Sequence, residues 1–475
     1  MNRGDSSPAD PIIHHIDHDL PQFDPNKSGP RHDGFSDLGE RWIINPSEYY
    51  CGPYIAAVAA MPHFVCSLSN ILTERLAPSD LVEKLKVPDI DFGILNQRGL
   101  NCVADLFNDK YSIAMEGALP ICALELSIHF LSKPDVFPNI GDTSRIAHLY
   151  LSGTEEIPFF QIEQNRFIPL VGTRVPERSQ EGLYRSAISI SGNARRFSTD
   201  DGSALNAATY IKQFDSLIEY LLPNCPIRRK YVYFSAFSLC LFFWMHEVAH
   251  VTNGHLLRLD SFDGDGPLRL FEHPNFDSHS DAWATKSYDL DEDLLLAMEI
   301  DADSDAMMFI VSLILEGHDD SLFGSADDGN FPETTVSDRV TLFLIMVYGA
   351  LNALRQKEIH HPLPTSNTRH PRFSVRLKNV FAIVQRMSEA DDRLKDCIDL
   401  LFSFIDATKS DVAHSRVFSG QYDENIDTEF DEILRLNGVL RKDITDGSLV
   451  RHGSLKVMIR SVMNNLIDKG IAESF

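Results

Sequence analysis

His246-Glu247-Val248-Ala249-His250 sets two imidazoles four positions apart, with a carboxylate between them. On an α-helix residues four apart lie on one face, so both histidines can offer a nitrogen to one ion about 2 Å from each. Glu247 is turned from His246 by roughly a hundred degrees, the angle per residue of a 3.6-residue turn. It is therefore out of the ligand row but within reach of a water beside the ion. Metal-assisted hydrolysis needs this arrangement. A zinc ion polarises water and scissile carbonyl, while the carboxylate accepts the water's proton and passes it to the leaving amine. A core helix with two satisfied histidines would show the same five residues, so the surrounding sequence must decide.

Downstream, Glu299-Ile300-Asp301-Ala302-Asp303-Ser304-Asp305-Ala306 reads as a helix on which Glu299 and Asp303 share a face with Ala302 and Ala306. Asp301 is expected on the opposite side. The small alanines permit close approach to the His246 helix. Glu299 can then complete the three protein ligands of a catalytic zinc, and Asp303 can orient a ligand histidine through its other ring nitrogen. The bland alternative is a solvated acidic face in a chain with 69 acidic residues. A third segment, His370-Pro371-Arg372-Phe373-Ser374-Val375-Arg376, places Pro in the first turn of a helix. There His370 and Arg376 can donate hydrogen bonds to the oxyanion formed when water adds to a peptide carbonyl. His255 lies nine residues after His246, out of register for a third histidine ligand ten residues on. A continuing helix would turn it away, so it is assigned a structural role, with Gly254 as a helix stop.

The order and content of these segments, from about Tyr231 through Leu377, resemble the gluzincin metallopeptidases of the HtpX and CAAX prenyl protease type. The stretch His246 to His255 is similar to that family's metal-binding helix, later histidine included. Glu299 and Asp303 match its Glu-x-x-x-Asp, and His370, Pro371 and Arg376 match its His-Pro followed by Arg. The resemblance implies a zincin-like metallopeptidase core with one Zn2+ held by His246, His250 and Glu299. It further implies Glu247 as general base and acid, Asp303 supporting a ligand, and His370 and Arg376 at the oxyanion or substrate. It also implies an edge strand that binds an extended peptide by strand addition.

The rest of the chain must position this site. At 475 residues, with 43% hydrophobic and 24% charged residues, it has ample material for a large core. The net charge of -26 repels phosphate backbones and anionic lipid, which disfavours nucleic acid and suits a protein or peptide substrate. Seven dispersed cysteines without a CxxC pair read as buried free thiols in a reducing compartment. The polar first residues lack the apolar core of a signal peptide, so a cytoplasmic location is expected. Tyr231 to Met245 is the longest apolar run, short of the roughly twenty residues of a bilayer span, and is read as a buried helix.

Residues 1–40 read as a flexible polar tail, including the cluster His14, His15, Asp17, His18 and Asp19. Residues 41–200 read as an N-terminal helical region of unassigned role, helical to about Lys133 and carrying a small sheet from Arg145 to Val175. The metallopeptidase core is placed at 201–387, with a helix over Ala204–Leu222 and an acidic loop over Asp260–Asp293. Further helices are expected over Leu294–Glu316, Val340–Leu354, Arg372–Met387 and Asp392–Ala407, the last in a C-terminal helical region, 388–475. The expected fold is α+β and mainly helical, with a small sheet, from Arg145 to Val175 or nearby, packed beside the His246 helix. The expected function is zinc-dependent peptide-bond hydrolysis through a metal-activated water. Two other readings stand beside it: a specialised cytosolic toxin, phage-exclusion or stress-response protease with a single host-protein target, and a non-catalytic zinc-binding scaffold.

Overall fold

A long apolar helix is stable in water only when other elements cover it on every side. The segment leading into His246 is covered in that way. The computed structural model describes residues 52–59, 61, 90–95, 102–107, 110–131, 137–145, 160–163, 166–169, 218, 222–260, 268–271, 292–315, 334–360, 373–408 and 431–439. In chain order these form α1 (Gly52–Ala59), β1 (Ile90–Leu95), β2 (Cys102–Phe107), β3 (Lys110–Glu116), α2 (Ala118–Leu131), β4 (Phe160–Glu163), β5 (Arg166–Pro169), α3 (Pro226–Thr252), α4 (His255–Asp260), β6 (Leu268–Phe271), α5 (Glu292–Leu315), α6 (Val336–His360), α7 (Phe373–Ala390) and α8 (Cys397–Thr408). A further helix covers 431–439. The fold is mainly helical α+β, with α3 at its centre against α1, α2, α5, α6 and a sheet.

The start of α3 is fixed by chemistry that apolar patterning does not reveal. Pro226 occupies its first turn, where a missing N–H costs nothing. Arg228 is fully buried. Its Nε donates to the Leu131 carbonyl at 2.8 Å, and its Nη1 donates to those of Phe137 at 3.0 Å and Ile140 at 2.8 Å. One cation thus satisfies the last residue of α2 and the turn beyond it, at the helix end that favours positive charge. Gly141 in that turn has φ +61°, and a Cβ there would stand 2.8 Å from Cys225 Sγ, so only glycine fits.

Further along, Ser127 on α2 donates to the Val232 carbonyl at 2.8 Å. Tyr54 on α1 donates to the Pro120 carbonyl at 2.9 Å and lies 3.3 Å from Cys240 Sγ. Phe92 on β1 meets Trp244 edge-on, with ring centroids 6.0 Å apart. Tyr231 to Met245 is buried throughout, as expected for this run. Each large side chain so placed contributes about 1.5–3 kcal/mol relative to exposure. Among the described residues α3 is the one helix long and apolar enough to cross a membrane, and its apolar stretch is wholly buried inside the fold.

The sheet beside α3 corrects two expectations. Its order is β1-β3-β2-β6. β1 runs parallel to β3 from Ile90↔Tyr111 to Leu95↔Glu116. β2 is antiparallel to β3, closing at Phe107↔Lys110, and β6 is antiparallel to β2 from Val103↔Phe271 to Leu106↔Leu268. Ile90–Leu95, Cys102–Phe107 and Lys110–Glu116 are therefore strands where a helical layer was expected, and the run Ile113 to Leu131 divides at Gly117 into strand and helix. Ile113, Ala114 and Met115 are all buried, so both faces of β3 are covered. A strand covered on both faces loses the alternation that would separate it from a buried helix. Leu268–Phe271 supplies β6 from within the expected acidic loop.

The 145–175 segment does contain a hairpin, β4 pairing with β5 from Phe160↔Pro169 to Glu163↔Arg166. It is a separate two-stranded sheet, and the sheet packed on α3 is the four-stranded one. One hydrophobic cluster runs from Tyr54 to Leu401. A smaller one joins Leu294, Met298 and Ile300 of α5 to Val375 and to Ile433 and Leu436. The expected tail, the acidic loop beyond Phe271, His370 with Pro371 and most of the expected 204–222 helix lie outside the described residues. Five cysteines, Cys102, Cys122, Cys225, Cys240 and Cys397, are free and buried, as read from their spacing.

Candidate metal centre

The last two turns of α3 exchange apolar side chains for polar ones without gaining exposure. His246, Glu247 and His250 are each at most 1% exposed, and Glu299 on α5 only 2%. Close packing of α3 on α5 is permitted by Ala302 and Ala306, both fully buried. It brings His246 Nε2 to 3.0 Å from His250 Nε2 and 3.2 Å from Glu299 Oε2. His250 Nε2 is 3.5 Å from Glu299 Oε1. One ligand atom from each of the three residues lies within 4.8 Å of the other two, close enough for the group to hold a single metal ion. The donors it offers are two imidazole nitrogens and one carboxylate oxygen.

Both ring nitrogens on the far sides of the histidines are held. His246 Nδ1 lies 3.0 Å from Asp303 Oδ1, as expected for a carboxylate that orients a ligand. Arg376, from the first turn of α7, donates Nε to Asp303 Oδ2 at 2.8 Å and Nη2 to Asp303 Oδ1 at 2.7 Å. Burial pushes the Asp303 pKa up, but the Arg376 charge and hydrogen bonds, together with His246, outweigh it and hold the carboxyl below its ordinary range. Arg376 is itself fully buried and committed to this fork. The structure places it beyond Asp303 from His246, in a forked guanidinium–carboxylate pair, the charge-assisted geometry that suits a buried cation. His370, its expected companion, lies outside the described residues.

On the other side the helix stops where expected. Asn253 N–H donates to the Ala249 carbonyl at 2.8 Å, and Gly254 takes φ +78°, the left-handed turn open to glycine. The chain reverses so sharply that His255 returns to the ligand cluster, its Nδ1 2.9 Å from His250 Nδ1. Asp301 faces His255 Nε2 at 3.4 Å and accepts from Asn253 Nδ2 at 2.8 Å. Asp305 accepts from the same amide at 2.7 Å. Asp301 was expected to point away from the site. The Gly254 turn carries His255 round to the flank of α5 on which Asp301 and Asp305 stand. The sequence signal for this flank was available in the four-residue spacing of Asp301 and Asp305. What it required was knowing that Asn253 and His255 would lie opposite.

Comparison of the chain with protein-family models, with curated proteins and with solved structures gave no match. The geometry stands alone.

Proposed function

We propose that this chain is a zinc-dependent endopeptidase. The observation that carries the reading is the convergence of His246 Nε2, His250 Nε2 and a Glu299 oxygen within 4.8 Å of one another, with Glu247 in the same helical turn. A structural site closes with a fourth protein ligand and has no use for a base, whereas three ligands beside a carboxylate are the parts list of a hydrolytic one. Zinc bound here would supply Lewis acidity, making water nucleophilic near neutral pH and polarising the scissile carbonyl.

The chain's own residues do the rest. His246 and His250 present Nε2 and keep their Nδ1 sides engaged, so neither ring is free to turn. Asp303, pinned by Arg376, fixes the tautomer of His246. Glu247 receives the proton that water loses on attacking the carbonyl carbon and returns it to the departing amine nitrogen. The dry surroundings strengthen each of these electrostatic interactions. Among the described residues β1 and β6 are the outer strands of the sheet beside α3, and strand addition of an extended peptide is assigned to that sheet rather than to the hairpin of β4 and β5.

Glu247→Gln separates chemistry from binding. It should bind zinc as the wild type does and lose about 10²–10⁴-fold in hydrolysis, the usual contribution of a general base. Comparing new protein N-termini in cells expressing wild type and Glu247→Gln identifies the substrate at the same time. Cleavage products unchanged in the Glu247→Gln cells would contradict the mechanism.

A further inference from the structure

The two ligand histidines are supported by different chemistry. His246 leans on a carboxylate, and His250 leans on another histidine. Resting on the metal reading above, we infer that His255 is a positioning residue that fixes the tautomer and ring angle of His250 by accepting its Nδ1 proton, and that the nearby charge of Asp301 favours the His255 tautomer able to do so.

The assignment follows from counting protons. A histidine that gives Nε2 to an ion has its lone pair there and, when neutral, carries its single proton on Nδ1. His250 Nδ1 then needs an acceptor, and the atom facing it at 2.9 Å is His255 Nδ1. To accept, His255 Nδ1 must be bare, which moves the His255 proton to Nε2. That nitrogen lies 3.4 Å from Asp301 Oδ2, an ion-pair approach rather than a hydrogen bond, so the shifted proton sits beside a negative charge that favours it. The reverse assignment leaves His250 without a lone pair for the ion, and two protonated Nδ1 atoms would set hydrogen against hydrogen.

Asp301 is itself held by Asn253 Nδ2 at 2.8 Å, and the same amide reaches Asp305 at 2.7 Å. The chain of contacts therefore runs from His250 through His255 and Asp301 to Asn253 and Asp305, with every member except Asp301 buried below 2% exposure. His255 reaches this place only because Gly254 adopts φ +78°. Geometry, burial and proton count agree on one direction of donation.

The test measures zinc affinity of metal-stripped protein by competition with a chromophoric chelator, for wild type, His255→Leu and His255→Asn. The asparagine amide oxygen can occupy the position of Nδ1 and accept the same proton, while leucine cannot. His255→Leu should bind zinc about 10–100-fold more weakly, the usual cost of losing a ligand's supporting partner, and His255→Asn should recover most of that loss. In zinc-loaded wild type, ¹⁵N spectra of labelled histidines should show His250 protonated on Nδ1 and His255 on Nε2, a readout that does not depend on either variant folding. Equal affinities for wild type and a folded His255→Leu, an asparagine variant as weak as leucine, or the opposite tautomers would each overturn the inference while leaving the metal site intact. A wild-type chain that takes up no zinc would remove the site and the inference together.

Discussion

From Tyr231 to Met245, α3 is surrounded by Tyr54, Phe92, Phe343 and their neighbours; from His246 to Thr252 the same helix, no less buried, keeps Val248 and Val251 in that cluster but sets His246 and His250 against carboxylates and a further imidazole. The first half is held by contact area, which is non-directional and forgives changes of shape that conserve volume. The second half is held by pairs, in which each group answers a particular partner and the loss of one strands the other. Packing supplies the rigidity, and pairing supplies the orientation that three ligand atoms need.

Breaking a pair should therefore cost stability and site together. Arg376→Met leaves the buried Asp303 carboxylate without its cation and is expected to destabilise the protein by about 3–5 kcal/mol. Denaturant unfolding with a chelator present measures this without a contribution from bound metal. Zinc affinity should fall as well, because Asp303 would no longer hold His246. A stability loss within error of zero would mean that the fork does not govern this end of α3.

Damage to the other half should behave differently. Leu241→Ala deletes a buried side chain and is expected to cost about 2–5 kcal/mol, yet the fraction that remains folded should bind zinc with wild-type affinity. A folded Leu241→Ala protein with weakened metal binding would show that packing and pairing are coupled along the helix. The smallest effect is at Cys240, in the apolar half, where burial pushes the thiol up to about 12 against the lowering effect of Tyr54. Its folded pKa lies far above pH 8, so almost no thiolate exists there to react. Thiol reagents at pH 8 should leave Cys240 unmodified in the native protein and modify it once denaturant is added.

What could be read in advance divides along the same line. The period-four spacings of His246 with His250 and of Glu299 with Asp303 were legible because a helix converts spacing into direction. The Ala302 and Ala306 positions foretold the close approach of α5. The sheet was missed because Ile113, Ala114 and Met115 are buried in succession and display no alternation. β6 was missed because Leu268–Phe271 is too short to stand out from its acidic surroundings. Arg376 is legible as a site residue but its pairing with Asp303 is not, since sequence spacing gives no account of which acceptor a long side chain will find. The His255–Asp301 contact depends on the φ of Gly254, and a reversal of the chain cannot be inferred from the periodicity of the helix it ends.

The most direct test of the metal centre is the zinc content of the purified 475-residue chain, determined by mass spectrometry for wild type, His246→Ala and Glu247→Gln. One zinc per wild-type chain, none in His246→Ala and one in Glu247→Gln with hydrolysis lost is the predicted result. A wild-type protein that is fully folded, holds no metal and takes none up when zinc is supplied would contradict it.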